Sequence, residues 1–222
     1  MLDTLVGERK LDDVQSPSWT PVELPAGQND LLAAQQLDRA SSVAVPPAMA
    51  ALWAVLATVL MLFAGFSSAY LVRRAGPDWL PIYAPPILWI NTALLLLSSL
   101  ALEIAKTSRK FGKQAGFRGW FLAGLGLGVA FLAGQWAAWR ELAAVGIFLP
   151  TSPHGSFFYM LSGVHAVHVI GGILALAFVL LRRWNSASKL NAAADPVNLC
   201  AIYWHFVTGI WVYLYWLLFV WR

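Results

Sequence analysis

Five apolar runs of about twenty residues account for most of this sequence, and runs of that length are typical of membrane-spanning helices. They cover residues 48–72, 86–105, 119–139, 157–181 and 199–221. Because an α-helix rises about 1.5 Å per residue, each run can cross a hydrocarbon core of about 30 Å. Charged residues make up 12% of the chain, about half the share usual in soluble domains. The sequence therefore predicts an all-α, polytopic membrane protein with five transmembrane helices.

The first 47 residues differ from the rest of the chain. They contain seven acidic and three basic residues, are rich in Pro, Ser and Gln, and lack the short apolar core of a cleavable signal sequence. Such a segment buries too little apolar surface to fold alone. We expect residues 1–47 to form a largely disordered cytoplasmic tail and residues 48–222 to form the membrane domain.

The distribution of Lys and Arg predicts the orientation of the helices. The tail, the loop after the second run and the loop after the fourth carry three, five and three of the 15 basic residues. The positive-inside rule therefore places the N-terminus in the cytoplasm and the C-terminus outside. The basic cluster from Lys106 to Lys113 could suggest nucleic-acid binding. Beside two spans, however, it is better explained by topology and by contact with anionic lipid headgroups, so no nucleic-acid partner is expected.

Polar side chains within the spans are the candidate functional residues, because burying them in lipid costs free energy. We expect five of them to join helices by hydrogen bonds: Asn91, Gln135, His165, His168 and His205. His165 and His168 share one helix face and, together with His205, could suggest a bis-histidine haem or a metal site. The helix rise, however, puts His168 and His205 at depths that differ by about ten ångströms. With one cysteine, Cys200, and no further ligand nearby, we expect no catalytic, cofactor or metal site in this chain.

The third run combines small residues with terminal tryptophans. Gly124 and Gly128 form a GxxxG pair, which lets another helix approach closely. Trp120 and Trp139 stand at the two ends of the run, where tryptophans commonly lie at the membrane interface. The run therefore predicts a closely packed helix.

Four segments of the spans carry a recognisable order of residues. They read W, MLFA and YLV over Trp53–Val72, LWINT and SS over Leu88–Ser99, SFFYMLSGVHAVHVIGG over Ser156–Gly172, and YWHFV and W over Tyr203–Trp211. In this order they resemble subunit III of haem–copper oxidases. The resemblance covers nearly all of residues 48–222 and implies a five-helix form of the subunit III-like bundle.

The resemblance also implies a function. It indicates a non-catalytic membrane subunit of a respiratory haem–copper terminal oxidase, most simply cytochrome c oxidase, in a bacterial inner membrane. Such a subunit supports the oxygen-reducing, proton-pumping subunit I during aerobic electron transport. The expected partners are subunit I, subunit II and phospholipids, with haem and copper held by the partner subunits. Arg182 and Arg183 are candidate contacts to lipid phosphate groups, or they serve only to fix topology.

Three positions depart from the family pattern. Val59, Ala138 and Thr208 stand where the family has carboxylates, so a role that depends on those groups is not carried over. Accessory subunits of quinol oxidases or nitric oxide reductases remain alternative functions. A small transporter is a third alternative, but it would require an internal repeat or broken polar helices, and five spans cannot divide into two equal halves.

Overall fold

The computed structural model describes residues 46–79, 82–83, 85–148, 152–183 and 195–221. Its described elements are helices, and five of them are long and apolar enough to cross a membrane. The prediction of an all-α membrane protein with five transmembrane helices is confirmed. The predicted cytoplasmic tail lies outside the described residues, except for the first residues of the first helix.

The five helices are longer than most of the apolar runs that predicted them. They are α1 (Pro47–Arg74), α2 (Ile87–Lys110), α3 (Gln114–Ala144), α4 (Pro153–Arg183) and α5 (Pro196–Tyr215), which a π-helical turn (Trp216–Val220) continues. The largest difference is in α3, which has 31 residues. Charged and polar residues at the helix ends continue the helices beyond the apolar runs, so hydropathy alone does not predict where the helices end.

Local sequence signals set the helix boundaries. Proline stands at the start of α1 and α5, where its missing N–H costs no hydrogen bond. The Asp195 side chain accepts a hydrogen bond from the Val197 N–H and caps α5. Gly112 and Gly146 follow the ends of α2 and α3 with positive φ angles of 73° and 81°, the conformation that glycine adopts most readily after a helix.

The helices of residues 45–222 form one compact unit. α2 and α3 pair along their lengths, α5 contacts α2 and α4, and α3 contacts α4. α1 packs against α4 and α5, and most of its surface faces outward, including Met61 at 74% exposure. Because the outward side chains are largely apolar, lipid is the solvent that suits them.

An aromatic cluster fixes the loop between α1 and α2 against the ends of α4 and α5. The His154 ring stacks on Trp79 with centroids 5.0 Å apart, and its Nδ1 accepts a hydrogen bond from the Ile82 N–H at 3.0 Å. In the same loop, the Arg73 guanidinium holds the pKa of the Asp78 carboxyl below its ordinary value by hydrogen bonding. The loop is therefore tied to the helices by both apolar and polar contacts.

Candidate functional site

His205 joins α5 to α2 at the lysine- and arginine-rich end of α2. Its Nδ1 is hydrogen-bonded to the Ser99 hydroxyl, and its Nε2 lies 3.2 Å from Glu103 Oε2. The same carboxylate oxygen accepts a hydrogen bond from Lys106 Nζ at 2.9 Å. Ser99 and Glu103 are one helical turn apart, so a single histidine reaches both from the neighbouring helix. The Ser99 hydroxyl is buried, whereas the His205 and Glu103 side chains are partly exposed, and their contacts join the two helices.

Besides the Lys106–Glu103 ion pair, another ion pair lies near the same end of the bundle. Arg109 Nη2 of α2 lies 2.7 Å from Oδ2 of Asp195, the residue that caps α5. The Arg109 guanidinium also lies 5.9 Å from the centre of the Phe117 ring of α3. These contacts join α2, α3 and α5 where their ends meet.

His165 and His168 of α4 have different surroundings from His205. His165 is fully buried, and its ring packs 5.8 Å from Phe131 and 5.1 Å from Trp211, measured between centroids. His168 Nδ1 is hydrogen-bonded to the Val164 carbonyl of its own helix at 2.8 Å. Tyr203 of α5 donates to the His168 carbonyl at 3.1 Å. The structure therefore places His165 among aromatic rings and His205 beside α2.

Asn91 and Gln135 are also buried, with exposed fractions of 0% and 1%. Their side chains, like the His165 ring, have no hydrogen-bond partner among the described residues. Asn91 of α2 lies against Gly134 of α3, where a Cβ atom would overlap its amide group. The expected direct hydrogen bonds between helices are thus absent at these three side chains within the described part of the chain.

Three tryptophans make interhelical hydrogen bonds that sequence reasoning missed. Trp204 donates to the Ser98 hydroxyl at 3.0 Å, which in turn donates to the Gly124 carbonyl at 2.6 Å, so α5, α2 and α3 are linked in series. Trp211 donates to Thr92 of α2 at 3.1 Å.

The third tryptophan is Trp139, predicted to lie at the membrane interface. It donates to Ser162 of α4 at 3.0 Å. Buried indole N–H groups need acceptors. The Ser and Thr residues of the other spans were the sequence signal that could have indicated these hydrogen bonds.

Within the described ranges, no group of three or more His, Cys, Asp or Glu side chains is arranged to hold a metal ion. His205 and Glu103 offer two ligand atoms, whereas a zinc site takes three or four from the protein. Among the side-chain hydrogen bonds that connect helices are those of His205, Trp139, Trp204 and Trp211 described above.

Known proteins resemble this chain over most of its length. The protein family described as cytochrome c oxidase subunit III matches residues 55–222. The probable cytochrome c oxidase subunit 3 of Mycobacterium leprae is 33% identical over 170 residues, which cover 72% of this chain and 81% of the relative.

Two further relatives extend the comparison. The cytochrome c oxidase subunit 3 of Corynebacterium diphtheriae is 32% identical over 203 residues, which cover 85% of this chain and 94% of the relative. That of Synechocystis is 30% identical over 159 residues, covering 69% of this chain and 67% of the relative.

Proposed function

Because the chain belongs to the cytochrome c oxidase subunit III family, we propose that it supports subunit I of a bacterial cytochrome c oxidase. It is a non-catalytic subunit of a haem–copper oxidase, crosses the membrane several times, and associates with other oxidase subunits. The observation that carries the proposal is the family match over residues 55–222. The names of the relatives favour cytochrome c oxidase over a quinol oxidase or a nitric oxide reductase.

The redox chemistry of the complex belongs to its other subunits. The subunit III family does not carry the redox centres, and we assign haem to subunit I and copper to subunits I and II. The contribution of this chain is the packed helix bundle, held by the hydrogen bonds of Trp204, Trp211 and His205. Such a bundle offers the catalytic subunit a rigid apolar surface.

The proposed location is the bacterial inner membrane, with the N-terminus in the cytoplasm and the C-terminus outside. The positive-inside rule supports this orientation, since Lys110 ends α2, Lys113 lies in the α2–α3 turn, and Arg118 follows near the start of α3. Residues 1–47 are then a cytoplasmic tail, and residues 48–222 are the membrane domain.

Affinity purification tests the proposal. We expect the tagged full chain, extracted in mild detergent, to bring down subunits I and II, haem absorbance and copper. The purified complex is expected to reduce oxygen with reduced cytochrome c as donor. Membranes that contain the untagged chain provide the control for non-specific binding. Purified material without haem and copper would overturn the oxidase assignment, whereas activity with quinol alone or with nitric oxide would point to one of the alternative complexes.

We further propose that Arg182 and Arg183 bind phospholipid phosphate groups. Arg182 is exposed at the end of α4, with its guanidinium 5.1 Å from the centre of the Phe178 ring. The Arg183 side chain lies outside the described part of the chain. A guanidinium at this end of a span is well placed to reach headgroups.

Replacing both arginines with alanine is expected to reduce the phospholipid that co-purifies with the complex, because two phosphate contacts are lost. Phosphorus analysis after delipidating washes measures the loss, and the double Arg→Lys variant, which keeps both charges, is the control. Phospholipid content that is the same in the alanine and unmodified proteins would leave these arginines with a topological role only.

A further inference from the structure

Five buried side chains have no hydrogen-bond partner among the described residues: Ser67 and Thr208 have one unpaired hydroxyl each, and three others have two unpaired atoms each. Asn91 of α2, Gln135 of α3 and His165 of α4 are at most 1% exposed. Both polar atoms of each amide and both ring nitrogens of the histidine are unpaired among the described residues. Unsatisfied polar groups are costly in any protein interior and especially within a bilayer. Six such atoms on three neighbouring helices therefore indicate a missing partner.

The contacts around Gln135 place it between Asn91 and His165. The Asn91 amide lies against Gly134, the residue directly before Gln135. On the same face of α3, one turn to either side of Gln135, lie Phe131 and Trp139. Phe131 contacts His165 of α4, and Trp139 is bonded to Ser162, about one turn from His165. Gln135 thus faces α4 at a level between the Phe131–His165 contact and the Trp139–Ser162 hydrogen bond.

Trp211 of α5 packs against the same group of residues from the fifth helix. Its ring lies 5.1 Å from His165 and 5.0 Å from Phe131, measured between centroids. Its indole N–H donates to Thr92, the neighbour of Asn91. A continuous set of contacts therefore runs through four helices and surrounds the three polar side chains.

Small residues of α3 let the Asn91 amide approach closely at this level. The amide occupies the place that a Gly134 side chain would take, and Ala138, which is fully buried, follows Gln135 by about one turn. A water molecule needs space for about one probe sphere and two to four polar partners. The six unpaired atoms provide the hydrogen-bonding groups that water requires.

The polar groups present define the chemistry of the partner. Asn and Gln amides both donate and accept, and a neutral imidazole has one donor and one acceptor. Within the described part of the chain, none of these three side chains is hydrogen-bonded to a charged group, so nothing there favours an ion. Lipid acyl chains offer neither donors nor acceptors. A small neutral molecule that donates and accepts is required.

We propose that Asn91, Gln135 and His165 bind internal water beside the rings of Phe131 and Trp211. The water connects α2, α3 and α4 by hydrogen bonds that the side chains do not make directly. The proposed water site involves residues of this chain alone, so its test is separate from that of the oxidase assignment.

Thermal unfolding of the purified full chain in detergent tests the water site. Labelling of Cys200, the single cysteine of the chain, reports unfolding. Gln135→Met and Asn91→Leu keep approximate side-chain size but remove polar groups that hold the shared water. We expect each to lower the unfolding midpoint by about 2–6 °C, and the double variant to lower it by less than the sum. Gln114→Met makes the same change at the exposed start of α3 and is expected to leave the midpoint unchanged.

Other outcomes contradict the proposal. Unfolding midpoints that stay constant or rise in the single variants would mean that the three side chains bind no water. A decrease in the double variant equal to the sum of the single decreases would mean that Asn91 and Gln135 share no water. If a variant fails to fold, high-resolution electron microscopy of the unmodified complex decides. Non-protein density within hydrogen-bonding distance of at least two of the three side chains supports the site. A map that resolves water elsewhere but shows none there overturns it.

Discussion

Leucine in place of Gly128 of α3 is expected to destabilise the helix bundle strongly. A Cβ atom at this position would lie 2.7 Å from the Trp204 ring, closer than atoms can pack. The ring is 1% exposed, and its N–H is bonded to Ser98, so it cannot move aside without losing that bond. Overpacking of a core commonly costs about 1–3 kcal/mol, and we expect this variant to reach or exceed the upper end. The folded yield on size-exclusion chromatography and the thermal midpoint measure the loss.

Gly126→Leu is the matched control for this experiment. Gly126 is two residues away on the same helix, but a Cβ atom there would have no neighbour within 4 Å. The leucine side chain would extend into open space and would improve helix propensity by about 0.5–1 kcal/mol. We expect an unchanged or slightly higher midpoint. Equal losses in the two variants would show that helix contact at Gly128 is not the cause.

Trp204→Ala has the second large expected effect. Trp204 is among the largest fully buried side chains in the described residues, and it packs against Gly128 of α3 and Gly172 of α4. Removing a buried tryptophan leaves a cavity and costs about 3–5 kcal/mol. It also removes the donor to the Ser98 hydroxyl. We expect the thermal midpoint of the chain to fall steeply and the yield of intact complex to fall with it.

Two comparisons separate packing from hydrogen bonding at Trp204. Trp136→Ala removes a tryptophan that is 62% exposed, so only a small change is expected. Trp204→Phe and Ser98→Ala, made singly and together, form a double-mutant cycle that isolates the indole–hydroxyl bond at about 0.5–1.5 kcal/mol. A Trp204→Ala variant as stable as Trp136→Ala would contradict the assigned packing.

The number and type of helices could be predicted because the signal is local. A run of about twenty apolar residues has one stable form in a bilayer, a helix that satisfies its own backbone. The helix ends were harder to predict. The charged residues of α2 beyond residue 105 and the polar residues at the start of α3 continue their helices, although the apolar runs had already ended.

The contacts of the candidate site depended on pairings that are distant in sequence. His205 and Glu103 are 102 positions apart, and Trp204 and Ser98 are 106 apart. Their helix faces and relative depth had to be known before either pair could be assigned. The GxxxG pair, by contrast, correctly predicted close approach, since a Cβ atom at Gly124 would lie 2.9 Å from Leu102.

The packing of α1 has a consequence for the order in which the protein is made. α1 is synthesised first, yet its packing partners α4 and α5 are synthesised last. α2 and α3, joined by a short turn, can pair as soon as both have entered the bilayer. α1 must therefore persist in lipid as a separate helix during most of translation. α1 has few buried polar groups and a largely apolar outward surface, so it is suited to lie in lipid without its partners. The bundle is complete only after α5 has been synthesised.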